Sequence, residues 1–181
     1  MRRLVIAIAL AAAGLGAAAA PAADVAQLSC PRSALSAAEL SALSQFIADR
    51  GTPADPRFEP ISRASERCAA TFSWSARQMR AALIYNLAEI GAAQIRAQFA
   101  DMDIDLAALE PVVTNDRPLM DAARAGGITP EQGTAFAVRH VDVIERVLGS
   151  RLHDQAIGER LGFFIGYWVM MEAARLEFAE R

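Results

Sequence analysis

The sequence predicts an all-α fold, a single-domain bundle of five to seven helices with an apolar, glycine-rich C-terminal helix at its centre. Three observations carry this expectation. No stretch alternates apolar and polar residues for long enough to be a strand. Capping-box spacing, in which a hydroxyl residue precedes Glu or Gln by three, opens apolar runs at Ser36, Ser75 and Thr129. Residues 161–171, LGFFIGYWVMM, carry no charge, as expected of a helix buried on every side.

The elements follow in order. After Ser36 and Glu39, the residues Leu40, Leu43, Phe46 and Ile47 recur at helical intervals, and Gly51 supplies the stop. Residues 51–60 hold three prolines and read as a loop. A second helix spans 61–72 and carries Cys68. Ser75 and Gln78 open a long helix to about residue 100, with Met79, Leu83, Leu87 and Ile90 on one stripe. Residues 101–114 support one short helical turn. Asn115 or Asp116 caps a helix from Pro118 to the pair Gly126-Gly127, the proline being tolerated in a first turn. Thr129-Pro-Glu-Gln132 starts a helix expected to run to about Leu148. Ser150 is read as the cap of the last helix.

That last helix is unusual. Gly158, Gly162 and Gly166 fall every four residues, and Ala174 follows on the same stripe. Each interior glycine costs about 1 kcal/mol relative to alanine. Close approach of a neighbour would offset that cost. The neighbour could be another helix of this chain, a second subunit, or a ligand such as an acyl chain or a flat ring. An apolar run of eleven residues spans about 16 Å as helix, half a bilayer, so the run does not read as a transmembrane span.

Ahead of the helices, Arg2 and Arg3 precede an apolar stretch from residue 4 to 20, followed by small residues around a cut near Ala22 or Ala23. This is the layout of a secretory signal peptide. The expected organisation is a signal peptide over 1–22, an extended mature N-terminus over 23–35 and a helical domain over 36–181. Export to the periplasm is expected, and the alanine-rich leader with arginine-only basic residues points to a bacterial cell envelope.

All 18 basic residues are arginine, so lysine-based catalysis is excluded. Without Arg2 and Arg3, 16 arginines stand against 21 acids, about −5. A mildly acidic chain lacks the clustered basic surface that nucleic acid requires. The two cysteines, Cys30 and Cys68, are expected to pair in an oxidising compartment. The residues before Cys30 fit lipidation poorly.

No motif carries recognisable chemistry, and no cofactor is expected. His140 lies four residues from both Phe136 and Ile144 and reads as a core histidine or, alternatively, a buried base. His153 lacks the spacing to form a metal pair with it. Asp101, Asp103 and Asp105 open like a calcium loop, but Leu106 stands where glycine is needed and Val112 where a bidentate glutamate is needed. Arg63 with Arg67, and Arg77 with Arg80, are same-face pairs that could dock an anion beside Trp74, or could face the acids of 101–121 within the fold. The expected function is binding, of a protein partner or a small apolar ligand, with oligomerisation possible through the glycine face. The alternative is an envelope enzyme assembled from His140 and the arginine cluster Arg63, Arg67, Arg77 and Arg80.

Overall fold

A computed structural model describes residues 24–180, so the signal peptide read in residues 1–22 lies outside the described residues. Among the described residues the chain is all-helical, without strands. Its α-helices are α1 (Cys30–Ser33), α2 (Ala37–Ala48), α3 (Glu59–Phe72), α4 (Ala76–Ala100), α5 (Glu110–Asn115), α6 (Arg117–Arg124), α7 (Pro130–Arg139), α8 (Val141–Leu148) and α9 (Gln155–Ala179). Nine helices replace the expected five to seven for three local reasons. The segment expected to be extended contains a 3-10 turn, Val25–Ser29, and then α1, which begins with Pro31 in its first turn. Within the stretch read as one short helical turn, 101–114, a 3-10 turn, Ala107–Leu109, leads into α5. The helix expected over 129–148 breaks at His140, whose backbone (φ −119°, ψ 22°) ends α7 and starts α8.

The capping signals act where they were read. Ser36, Ser75 and Thr129 each form a reciprocal box with Glu39, Gln78 and Gln132. Asp116 caps α6, accepting the Leu119 N–H at 2.9 Å. Two stop and start signals are corrected. Arg50, not Gly51, takes the left-handed turn after α2 (φ +53°). Gly51 is needed for space instead, because a Cβ there would sit 2.3 Å from the Phe46 ring. Asp154, not Ser150, caps α9, since Gly149–Arg151 form a 3-10 turn first.

The spine is an antiparallel pair of 25-residue helices, α4 and α9. Arg77 near the start of α4 meets Glu177 near the end of α9, while Arg96 near the end of α4 lies over the rings of Phe164 and Trp168. Gly91 of α4 lies directly against Tyr167 of α9, where a Cβ would be 2.7 Å from the Tyr167 ring. Helices α2 and α3 pack on α4, α1 packs chiefly on α3, and α5 and α6 pack on α9. The largest core lies among α4, α9 and residues 104–148, with Phe99, Phe136 and Phe164 essentially inaccessible to solvent. Burying each such side chain contributes about 1.5–3 kcal/mol.

The N-terminal strap is held by three kinds of bond. Cys30 and Cys68 form a disulfide between α1 and α3. Asn86, wholly buried on α4, donates to the carbonyl of Leu28 at 2.7 Å and accepts from the N–H of Arg32 at 3.3 Å. Trp74 donates its indole N–H to Gln27 and stands edge-on to Phe178.

The expectation that α9 is buried on every side is corrected, and of the three neighbours open to its glycines a helix of this chain is not in contact with them. Phe163 and Met170 are 43% and 46% exposed. A Cβ built at Gly158, Gly162 or Gly166 meets nothing within 4 Å. The glycine that lets the two long helices approach is on α4.

Candidate functional site

The open glycine face is the floor of a groove. Gly158, Gly162 and Gly166 lie along its base, and Leu119, Phe136, Ile144 and Leu161 are among its walls. Its volume is about 450 Å³, within the about 300–1,000 Å³ typical of small-molecule sites. Every residue lining it is apolar or glycine. Phe136 and Ala137 of α7 and Ile144 and Leu148 of α8 line it opposite α9, where the missing side chains of the three glycines leave the space unfilled.

A second depression of about 480 Å³ abuts the first, sharing Ile128 and Gly166 with it. It continues along α9 past Val169, Met170 and Ala174 to Glu177. A third, polar depression shares Ala123, Ala173 and Glu177 with the second and is bounded by Arg77, Arg124 and Glu180. The three therefore lie in line along one helix, apolar at the Gly158 end and charged at the Glu180 end. Another opening of about 610 Å³ between α1, α2 and α4 mixes Arg32, Ser33, Ser44 and Gln94 with apolar residues, and Gln94 bridges it by donating to the Ser44 carbonyl.

His140 is not the core residue of a continuous stripe. It sits at the α7–α8 junction with its ring 4.8 Å from that of Phe136. Its Nε2 is 2.8 Å from Asp116 Oδ2, so against an ionised carboxylate Nε2 carries the proton. Arg139 donates to both oxygens of the same carboxylate, at 2.8–3.0 Å. Adjacent residues on a straight helix point about 100° apart. The break at His140 lets both neighbours reach one acceptor. Burial pushes the Asp116 carboxyl up, but Arg139, His140 and the Leu119 N–H more than offset that and hold it below the usual carboxylate range. The sequence offered Asp116 only as a cap. Its pairing with residues 23 and 24 positions away had no local signal.

The arginine cluster is dispersed. Arg63 pairs with Glu59 within α3, Arg77 with Glu177 and Glu180, and Arg80 with Glu177. None of the ion pairs of Arg63, Arg77 and Arg80 is with an acid of 101–121. Trp74 is buried among Phe72, Phe178 and the strap, so it forms no wall for an anion. No hydrogen bond or ion pair among the described residues joins His140 to Arg63, Arg67, Arg77 or Arg80. Asp103 takes a left-handed turn and Asp105 accepts the N–H of Ala107 at 2.9 Å. Among the described residues no group of three or more His, Cys, Asp or Glu side chains is arranged to hold a metal ion. Likewise none of their helices is long and apolar enough to cross a membrane.

No protein-family model, curated protein or solved structure matches this chain.

Proposed function

We propose that this chain is an exported, disulfide-tied helical protein of the bacterial cell envelope that works by binding. Its site is the glycine-floored groove on α9, and its occupant is a small apolar ligand. One observation carries the reading: three helical glycines in register leave an open groove lined without a single polar side chain. A chain that needed only a packed core would gain about 1 kcal/mol per position from alanine there. Apolar surface left concave and unfilled is the usual form of a ligand site. The leader-like composition of residues 1–22 and the Cys30–Cys68 bridge support export.

The test is native mass spectrometry of protein recovered from the exported fraction. Extra mass that survives gentle ionisation, and is lost from the Gly162→Leu variant, is the expected result. A bare chain that also fails to take up 1-dodecanol would overturn the reading.

A further inference from the structure

A separate depression of about 220 Å³ lies where the end of α2 meets α4 and α9, and it shares no lining residue with the glycine groove. No acid lines it, and its one charged group is Arg50. Arg50 follows α2 in the left-handed region, φ +53°, a conformation uncommon outside glycine. Its guanidinium lies over the exposed Phe163 ring of α9, 4.7 Å from the centroid. It makes no hydrogen bond or ion pair among the described residues, so its five N–H donors are open to a ligand. Tyr167 lines the same depression, and its hydroxyl likewise makes no hydrogen bond among the described residues. Burial pushes the phenol above its ordinary range, and Arg50 is the charge that pulls it back. The phenol therefore keeps its proton at neutral pH and is free to donate it in a hydrogen bond. Ile47 and Ile95 supply apolar sides. The volume is about seven times the share of one water in the liquid, enough for a carboxylate on one ring and too little for a long chain.

We infer that this depression is a second binding site, for a small monocarboxylate whose apolar body is the size of one ring. The carboxylate meets the Arg50 fork through paired N–H bonds and accepts the Tyr167 hydroxyl, while the body packs against Phe163, Ile47 and Ile95. Charge complementarity selects the anion: one guanidinium without an ion pair, one phenol donor and no acid line the site. A single negative charge matches that single guanidinium. The site stands independently of the apolar ligand proposed for the groove.

The experiment is an NMR titration of the purified protein with benzoate and with benzyl alcohol, its neutral counterpart, read on the side-chain amide signals of Gln94 and Gln98, which line the depression. Wild type, Arg50→Gln, Tyr167→Phe and Gly162→Leu are compared, with folding checked by thermal melts. Wild type is expected to bind benzoate about tenfold more tightly than benzyl alcohol, the scale of a hydrogen bond to a charged group. Arg50→Gln should abolish that preference. Tyr167→Phe, which keeps the ring on Gly91, should weaken benzoate about fivefold through the lost hydrogen bond. Gly162→Leu fills the groove and should leave benzoate binding unchanged. Absence of benzoate binding by wild type, equal binding of the two probes, or a preference that survives Arg50→Gln overturns the site. An unchanged benzoate constant in Tyr167→Phe overturns the two-point grip. Loss of benzoate binding in Gly162→Leu would place the probe in the groove and overturn the separate site while leaving the groove reading standing.

Discussion

The end of the Tyr167 ring rests on Gly91, with Cε1, Cε2 and Cζ all 2.7 Å from where a β-carbon would stand. This contact sets how closely the two long helices approach. Gly91→Ala gains helix propensity but forces the ring away, and overpacking of this kind costs about 1–3 kcal/mol. The variant should therefore be less stable in urea unfolding, despite alanine being the better helix former. In a Tyr167→Leu background the same substitution should become neutral or stabilising. Equal effects in both backgrounds would remove the contact from the account.

Gly162 should behave in the opposite way. With nothing within 4 Å of its missing β-carbon, Gly162→Leu should fold normally and melt at the same or a higher temperature, reflecting up to about 1 kcal/mol of helix propensity. A cooperative loss of structure on circular dichroism would show that the glycine face is packed after all.

Asp116 gathers Arg139, His140 and the first turn of α6. Asp116→Asn keeps a cap-forming side chain but loses the charge, and should cost about 2 kcal/mol at neutral pH through weakened charge-assisted hydrogen bonds. The native carboxyl is held below its ordinary range, so the unfolded chain takes up that proton first as pH falls. The stabilisation is present in full above the ordinary value near pH 4 and is lost as pH drops through the lower native value. The melting-temperature gap between wild type and Asp116→Asn should accordingly hold from neutral pH down to about pH 4 and narrow as the pH falls further. A gap independent of pH would sink the assignment.

The Cys30–Cys68 bridge closes a loop with a sequence separation of 38. The chain-entropy model gives up to about 4 kcal/mol for that length. A Cys30→Ser, Cys68→Ser double variant should unfold at distinctly lower urea concentration. Asn86 and Trp74 still hold the strap in that variant, so it should retain its helical content. A loss below about 1 kcal/mol would mean that these polar anchors alone fix the strap.

Local signals were legible in the sequence, and long-range ones were not. The boxes at Ser36, Ser75 and Thr129 work through residues three apart, so they could be read directly. The break at His140 could not, because it answers to Asp116 on another helix. The glycine stripe shows the same limit from the other side: its spacing was visible, but whether a neighbour filled it depended on where α7 and α8 came to rest. Gly91 has no periodic signature at all. The arginines of α3 and α4 read as a cluster in one dimension and separate in three, because Arg77 and Arg80 turn toward the end of α9. The groove was accessible only as one of several possible neighbours for the stripe, and its charged end could not be seen before Arg124 and Glu180 were brought together.

Leu28 and Phe178 share one small core with Trp74, although 150 positions separate them. The first and last described segments are thus stitched at one corner of the molecule. A short flexible linker from residue 180 back to residue 24 would span little distance and add little closure entropy. The backbone could then be opened at Gly126-Gly127, an exposed turn with both glycines at positive φ. Such a circular permutant should keep the same helices, and its new ends would emerge beside the groove, where a reporter could register what enters it.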